Sequence, residues 1–233
     1  MTTWVIPPHA AASLAVQDSQ ARFPIHRIFC VGRNYAEHAV EMGHSGREAP
    51  FFFTKPAHAA FELTEEHVAA WPYPSSTADV HHEVELVVAL GAGGSNLSLE
   101  QAESAIWGFA VGIDMTRRDL QADAKKQGRP WDVAKGFDAA APIGPLYPKA
   151  MLPSYVQGSI RFFVNDELRQ QGDLSQMIWP VVDTIAYLST LYQLQAGDLI
   201  MTGTPAGVGS VQKGDLLRAE IAGFKPVQCR VSD

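Results

Sequence analysis

The sequence predicts an α+β fold in which strands outnumber helices. Two observations carry this prediction: apolar strand-like segments are the commoner kind, and they do not alternate regularly with the helical segments. Regular alternation is typical of Rossmann-like sheets and TIM barrels, so the pattern is unlike both. The chain has 233 residues, 46% of them hydrophobic, which is enough for one large domain with a substantial core.

The strands are predicted from short apolar runs bounded by turn residues. The Pro- and Ala-rich residues 1–25 predict an N-terminal arm with a short strand at Thr3–Ile6, and residues 26–233 predict the folded domain. The three phenylalanines at 51–53 are expected in its core. Strands of this domain are predicted at 26–32, 50–56, 80–91 and 108–114, in a hairpin over 159–172 that turns at Asn165–Asp166, at the start of 199–209, and finally at 215–223.

Four helices are predicted from N-cap residues and from Gly or Pro stop signals. The basic residues 125–129, at the end of the third helix, are expected to be solvated. The helices are predicted from Asn34 to Gly43, from Ser98 through Trp107, from Thr116 to about Gln127, and from Pro180 to Gly197.

Charge and cysteine content exclude several classes of partner and location. The net charge of −7 and the pI of about 5.6 argue against nucleic acid or an anionic membrane as the main partner. Cys30 and Cys229 lie far apart and form no CxxC motif, which favours a reducing compartment. The chain has no basic leader and no run of 18 apolar residues, so we expect a cytoplasmic protein without a membrane span.

Two glutamates near the start of a buried strand form the best candidate metal site. Because side chains alternate along a strand, Glu83 and Glu85 would point to the same face. Neighbouring carboxylates repel unless a cation or solvent lies between them, and hard oxygen ligands suit Mg²⁺, Mn²⁺ or Ca²⁺. Asp114 ends another apolar strand and is the third candidate ligand. The alternatives are an exposed strand edge with two solvated glutamates and, for Asp114, a turn or N-cap residue.

Two further groups could supply catalytic chemistry. His38 and Glu41 are three residues apart on a predicted helix, so the carboxylate could orient the imidazole as a water-activating base. Lys135 lies in an apolar neighbourhood and could stabilise a developing enolate or oxyanion. The alternatives are an exposed surface pair for His38 and Glu41, and a surface lysine with a buried stem for Lys135.

Three residues could contact a substrate anion. Arg118 and Gln121 share a helix face and could hold a substrate carboxylate. Thr204 begins a rigid loop whose hydroxyl and backbone N–H groups could bind an anionic oxygen. The alternatives are a solvated helix flank and a plain turn. The usual nucleotide-binding, zinc-protease and serine-hydrolase motifs are absent from the sequence.

Six blocks of the sequence stand in a recognisable order. They are GRNYAEHAVEMG, FFFTKP, HHEVELVVALG, GFAVGIDMTRRDLQ, GRPWDVAKGFD and IMTGTPAGVG. In this order they resemble the fumarylacetoacetate hydrolase family, over a span from about Arg27 to Phe224. Six blocks in register are far more specific than any one of them.

The resemblance implies a fold, a metal and roles for individual residues. The family fold is a mixed β-sheet roll with peripheral helices and a lid helix, usually assembled as a homodimer. Among the basic residues, the candidates for binding a distal substrate carboxylate are Arg33, Lys55 and Arg118. The matching positions imply that Glu83, Glu85 and Asp114 bind Mg²⁺ or Mn²⁺, that His38 and Glu41 form a dyad on the lid helix, that Lys135 is the active-site lysine, and that Arg118, Gln121 and Thr204 contact substrate.

The resemblance also implies a reaction. The N-terminal arm and compact length most resemble the bacterial fumarylpyruvate hydrolases of gentisate degradation within this family. Metal-dependent hydrolysis of the C–C bond of an acylpyruvate, a small 2,4-diketo acid, is therefore expected, with fumarylpyruvate giving fumarate and pyruvate. Relatives that decarboxylate oxaloacetate-like acids or tautomerise keto–enol pairs would use the same kind of site. A non-catalytic keto-acid binder is a further alternative, although such a binder would not need His38, Glu41 and Lys135.

Overall fold

Strands make up most of the regular structure. The computed structural model describes residues 3–36 and 48–233. Within them the strands are β1 (Ser13–Ala15), β2 (Arg22–Pro24), β3 (Arg27–Gly32), β4 (Phe51–Lys55), β5 (Ala60–Glu62), β6 (Ala69–Pro72), β7 (Val80–His82), β8 (Val84–Leu90), β9 (Ile106–Ile113), β10 (Thr116–Arg117), β11 (Ala141–Ile143), β12 (Tyr147–Pro148), β13 (Ser159–Val164), β14 (Glu167–Asp173), β15 (Asp198–Met201), β16 (Gly209–Val211), β17 (Leu216–Ile221) and β18 (Val227–Ser232). The α-helices of the same residues are α1 (Leu99–Ala105), α2 (Arg118–Gln127), α3 (Asp132–Lys135) and α4 (Val181–Leu191).

A mixed eight-stranded sheet forms the centre of the fold. Its order is β4-β3-β15-β8-β9-β11-β5, with β12 paired to β9. All seven residues of β8 are buried, because the sheet is covered on both faces. The alternation of side chains divides them between two cores. Leu86 and Val88 lie in the larger core, whereas Val87 and Ala89 lie in a smaller core that includes residues of β1 and β2.

A second sheet of five strands, β14-β13-β17-β18-β6, contributes to the larger core. β13 and β14 form the predicted hairpin, which confirms the turn at Asn165–Asp166. These two residues have φ values of 51° and 64°, as a two-residue type I′ turn requires.

The strand predicted over 80–91 is two strands. The backbone leaves the strand conformation at Glu83, so β7 and β8 belong to different sheets. β7 is the middle strand of a small sheet, β10-β7-β16, and β8 lies within the eight-stranded sheet. The break therefore puts Glu83 at the junction of two sheets.

Capping signals predict two helix ends correctly. The Ser98 hydroxyl accepts a hydrogen bond from the Gln101 backbone N–H, and the Gln101 side chain accepts one from the Ser98 N–H. This capping box opens α1. Gly128 ends α2 in the left-handed conformation, with φ of 62°.

Several other predicted boundaries are wrong. Thr3–Ile6 is not a strand, and α1 stops at Ala105 because the chain enters β9 at the next residue. Helix α4 stops at Leu191, because Tyr192 is already extended. The strand over 215–223 is not the last one, since β18 follows it and joins β17 to β6.

The predicted helix from Asn34 to Gly43, with its role as a lid, lies mostly outside the described residues. Asn34 itself is buried, and its side-chain amide donates hydrogen bonds to the carbonyl oxygens of Trp179 and Thr202. Its Oδ1 accepts from the Trp179 N–H. Asn34 thus ties the end of β3 to the residues that follow β15.

The predicted α+β class, with mixed sheets and few peripheral helices, is confirmed. The division into an arm and a domain at residue 25 stays a prediction. In the described part of the chain, no helix has the length and apolar character that crossing a bilayer demands.

Candidate metal centre

Three acidic residues converge at the point where β8 begins and β9 ends. The antiparallel pairing of these strands sets Val84 opposite Ile113, so the residues flanking that pair, Glu83 and Asp114, are neighbours. The Asp114 N–H donates to the Glu83 carbonyl oxygen at 2.8 Å. Ligand oxygens of Glu83, Glu85 and Asp114 all lie within 4.8 Å of one another. The expected convergence is therefore observed, although Glu83 and Glu85 do not share one continuous strand as the alternation argument assumed.

The burial of these acids suits a cation. Glu83, Glu85 and Asp114 are 6%, 2% and 1% exposed. Burial, together with the neighbouring carboxylates of Asp114 and Glu83, raises the pKa of Glu85 well above its ordinary value. Among the described residues no basic side chain forms an ion pair with Glu85. Hard divalent ions prefer carboxylate oxygens as ligands. Three buried carboxylates, one of which has no basic partner among the described residues, therefore fit such an ion.

The backbone after β15 supports Glu85. Gly203 N–H donates to Glu85 Oε2 at 2.7 Å. Gly203 has φ of 93°, and a Cβ there would come within 2.7 Å of the Asn34 Cβ. Only glycine satisfies both conditions without strain, so glycine at 203 is required by the positive φ and by the close approach of this backbone to Asn34.

Lys135 lies within the acidic cluster, as its apolar surroundings suggested. The helical turn α3 carries it, and its Nζ lies 2.9 Å from Glu83 Oε2 and 2.9 Å from Asp114 Oδ2. Burial acts to lower the pKa of Lys135, but the carboxylates of Asp114 and Glu83 outweigh it and raise this pKa above its ordinary value. The ammonium therefore stays charged beside the candidate ligands.

Lys55, the last residue of β4, is a second buried lysine at the cluster. Its Nζ lies 2.8 Å from Asp114 Oδ1 and donates to the carbonyl oxygens of Met115, at 3.2 Å, and Lys135. Because Lys55 is 1% exposed and these partners occupy it, it is not available to bind a distal substrate carboxylate. The structure removes it from that list of candidates.

Arg118 and Gln121 lie on one face of α2, as their spacing predicted. Arg118 Nη2 lies 2.5 Å from Glu83 Oε1, and Nη1 donates to Gln121 Oε1 at 2.6 Å. Thr116 was expected to cap this helix, but it lies in β10, and its hydroxyl donates to Glu83 Oε1 at 3.3 Å. Arg117 is the N-cap instead, one residue later than predicted, because the chain first pairs with β7.

Thr204 is held by a buried network that the sequence did not reveal. Its hydroxyl donates to the Val84 carbonyl oxygen at 2.7 Å and accepts from Gln170 Nε2 at 2.8 Å. Gln170 Oε1 accepts from the Val84 N–H at 3.1 Å and lies 2.9 Å from His82 Nδ1. The Thr204 hydroxyl proton is thus already used, so binding of a substrate anion by this residue would depend on its backbone.

The acidic cluster opens into a cleft. Phe51 and Phe53 line it. All three phenylalanines are only partly buried. Phe52 and Phe53 still pack against the larger and the smaller core, so the expectation of a core residue is wrong for Phe51. Arg33 also lines the cleft, with φ of 59° and its guanidinium 5.1 Å from the Phe51 ring centre. The remaining lining residues are Val31, Gly32, Glu83, Glu85, Arg118, Gln121, Lys125, Trp131, Lys135, Gly203 and Thr204.

Two of the predicted catalytic residues, His38 and Glu41, lie outside the described residues. The expectation that the basic run is solvated is confirmed, because residues 125–129 are all exposed, but it did not reveal that Lys125 lines the cleft. Gln170 was missed because its neighbours on β14 are exposed and its partners are distant in sequence. No local signal in the sequence would have found either residue.

Comparison with known proteins places this geometry in a family. The protein-family model described as fumarylacetoacetate (FAA) hydrolase C-terminal matches residues 27–232 of the chain. The chain belongs to this family. The resemblance inferred from the six sequence blocks is confirmed, and so is the family's mixed-sheet fold, because one solved member superposes with a TM-score of 0.96.

That solved member is the fumarylpyruvate hydrolase of Pseudomonas aeruginosa, in complex with Mn²⁺ and pyruvate. It is 46% identical, and the match covers 99% of each chain. The oxaloacetate tautomerase YcgM of Escherichia coli is 41% identical over 202 residues, which are 86% of this chain and 90% of the relative. The mitochondrial oxaloacetate decarboxylase of Dictyostelium discoideum is 38% identical over 198 residues, or 85% and 89% of the two chains. Together, the Mn²⁺ in the Pseudomonas protein and the buried acidic triad support a divalent metal ion in this chain.

Proposed function

We propose that this chain hydrolyses the C–C bond of an acylpyruvate, with fumarylpyruvate as the substrate and fumarate and pyruvate as the products. The observation that carries the proposal is the buried triad of Glu83, Glu85 and Asp114 at the base of a cleft that also holds basic side chains. The 46% identity to a fumarylpyruvate hydrolase over nearly the whole chain supports this choice of substrate. The dimer, the cytoplasmic location and a place in gentisate degradation stay predictions.

Glu83, Glu85 and Asp114 would hold Mg²⁺ or Mn²⁺. When bound, the ion supplies electrophilic polarisation of substrate oxygens and neutralises charge that builds on them. Cleavage of the substrate adds water to the carbonyl remote from the pyruvoyl carboxylate and expels pyruvate as its enolate. That leaving group is poor unless its negative charge is stabilised.

Lys135 is well placed to stabilise that charge. Its ammonium is buried between Glu83 and Asp114, where the low dielectric strengthens its interaction with a nearby anion. Lys55 contacts the other carboxylate oxygen of Asp114, Oδ1, and fixes the orientation of this carboxylate. In the proposal Lys135 faces the substrate and Lys55 only supports the site.

Arg118 and Gln121 would hold the pyruvoyl carboxylate next to the triad. The guanidinium is already oriented by its contacts with Glu83 and Gln121, so little side-chain entropy is lost when it binds an anion. His38, oriented by Glu41, would take the proton from the attacking water. This last role stays a prediction from the sequence.

The test is a comparison of three reactions catalysed by the purified, Mn²⁺-loaded chain. Pyruvate release from fumarylpyruvate is measured with lactate dehydrogenase and NADH. CO₂ release from oxaloacetate is measured in a sealed vessel. Tautomerisation of oxaloacetate is measured as the loss of enol absorbance. We expect fumarylpyruvate cleavage to have the largest kcat/KM. His38→Ala should abolish this cleavage while leaving Mn²⁺ binding by calorimetry unchanged, and full kcat in this variant would refute the role of the dyad.

Oxaloacetate tautomerase or decarboxylase is the second candidate. It is favoured by the identity of 41% to the Escherichia coli tautomerase and 38% to the Dictyostelium decarboxylase. Both reactions also pass through an enolate, so the triad and Lys135 would serve them as well. A larger kcat/KM with oxaloacetate than with fumarylpyruvate would decide for this candidate.

A further inference from the structure

One helix face brings three polar side chains to the cleft. Arg118, Gln121 and Lys125 are at positions i, i+3 and i+7 of α2, so they lie in a row along its surface. All three line the cleft. Arg118 and Gln121 are the members nearest the acidic triad, and Lys125 lies in the last turn of the helix, towards the mouth of the cleft.

The basic groups of the cleft differ in how fully their partners occupy them. Arg118 is paired with Glu83 at 2.5 Å, whereas the carboxylate that Arg33 contacts among the described residues is the exposed one of Glu48, at 3.9 Å. For Lys125, no carboxylate of the described residues lies within ion-pair distance. Its Nζ is instead 5.2 Å from the Trp131 ring centre, a contact that holds the side chain against the cleft wall.

Lys125 is also close to other positive charges. Lys125 is an exposed residue, but partial desolvation of its ammonium, and then the charges of Arg118 and Arg33, lower its pKa. Three basic groups that line one cleft repel one another, and an anion placed among them would relieve that repulsion. Because Glu83 already pairs with Arg118, the cleft cations without a close carboxylate among residues 3–36 and 48–233 are Lys125 and Arg33.

We infer that Lys125 is a specificity-determining residue that binds the distal carboxylate of a diacid substrate at the mouth of the cleft, with Arg33 as the second cation. The inference rests on the proposed function, because it assumes that the 2-oxo acid end of the substrate binds at the triad. It selects among the basic candidates for the distal carboxylate: Lys55 is buried, and Arg118 lies beside the triad, where the proposed function has it hold the pyruvoyl carboxylate. A substrate whose acyl group ends in a methyl lacks this contact.

A purely structural role for Lys125 would be a favourable interaction with the carboxyl end of the helix dipole. Lys126 is in the same turn, is exposed, and does not line the cleft. Lys126→Met is therefore a matched control that loses the same charge from the same helix end. Lys125→Arg, which keeps the positive charge, is the conservative variant.

Binding tests the inference without any turnover. The Mn²⁺-loaded chain is titrated calorimetrically with 2-oxoheptanedioate and with 2-oxoheptanoate, which have equal chain length and differ in the terminal carboxylate. We expect the wild type to prefer the diacid, and Lys125→Met to lose about 5-fold in affinity for the diacid, as a partly solvated ion pair predicts. Affinity for the monoacid should not change, and Lys126→Met and Lys125→Arg should keep the preference. An unchanged preference in Lys125→Met, or an equal loss for both ligands, would overturn the inference.

Kinetics separate this inference from the proposed function. In Lys125→Met we expect a higher KM for fumarylpyruvate at nearly constant kcat, and unchanged parameters for acetylpyruvate, whose acyl group is neutral. If the wild type releases no pyruvate from either compound, the proposed hydrolysis is wrong, and the calorimetric preference for the diacid still decides the role of Lys125. If hydrolysis occurs and Lys125→Met affects both substrates alike, only the inference about Lys125 fails.

Discussion

The buried lysine at the end of β4 makes a quantitative prediction about stability. Lys55 and Asp114 are each 1% exposed and their charged atoms lie 2.8 Å apart. Replacing Lys55 with Met keeps the length of the side chain but leaves the Asp114 carboxylate without this partner, and it also removes the donor to two carbonyl oxygens. Breaking a buried ion pair from one side costs about 3–5 kcal/mol. We therefore expect Lys55→Met to lower the free energy of unfolding by about that amount.

Thermal unfolding followed by circular dichroism measures this effect. In a chain of this size 1 kcal/mol corresponds to about 2–4 °C, so the Tm of the metal-free protein should fall by about 6–20 °C. Lys126→Met is the matched control, because Lys126 is exposed and forms no ion pair in the described structure, and its Tm should stay within about 2 °C of the wild type. A Lys55→Met variant whose stability is within about 1 kcal/mol of the wild type would refute the view that Lys55 is required to neutralise Asp114.

Two further substitutions test other parts of the site. Glu85→Gln should stabilise the metal-free protein at neutral pH. Burial raises the pKa of Glu85 in the folded state, so the free energy of unfolding falls as the pH rises from the unfolded pKa of this carboxyl towards its folded pKa. The glutamine variant does not titrate and avoids that loss. Urea unfolding across pH should show the stability difference between the variant and the wild type disappearing in acid. A variant less stable than the wild type at pH 7 would contradict the predicted stabilisation. The Mn²⁺ affinity of the variant should fall by more than the ~10–100-fold cost of losing an outer-shell partner. Gln170→Leu should lower the free energy of unfolding by about 3 kcal/mol, because it leaves buried polar groups of Val84, Thr204 and Pro205 without their partner. The control is Gln171→Leu at the exposed neighbouring position, whose free energy of unfolding should stay near that of the wild type. A change in Gln170→Leu no larger than that in Gln171→Leu would show that the network is dispensable.

The strands and the acidic cluster were predictable because local pattern and burial agree there. β8 and β9 are apolar runs buried on both faces, and Glu83, Glu85 and Asp114 stand at the polar ends of those runs. The hairpin turn at Asn165–Asp166 was predictable for the same reason, since both residues tolerate positive φ. In each case the physical cause acts within a few residues of the chain.

The remaining features depend on contacts between distant segments. The break at Glu83 exists because β7 pairs with β10 and β16 while β8 pairs with β9 and β15, and no local signal in an alternating pattern shows this. Thr116 looked like an N-cap, but pairing with β7 and the contact with Glu83 take precedence. Lys125 lies at the cleft only because α2 packs beside the triad. The catalytic pair His38 and Glu41 lies outside the described residues and stays a prediction.

The central claim is that Glu83, Glu85 and Asp114 bind one divalent ion. An anomalous-difference map from a crystal of the chain grown with MnCl₂, recorded at the manganese edge, tests it most directly. We predict one strong peak per chain, with carboxylate oxygens of all three residues within about 2.5 Å of it. A peak elsewhere, or a Mn²⁺-saturated crystal in which the three carboxylates bind only Lys55, Lys135 and Arg118, would contradict the account.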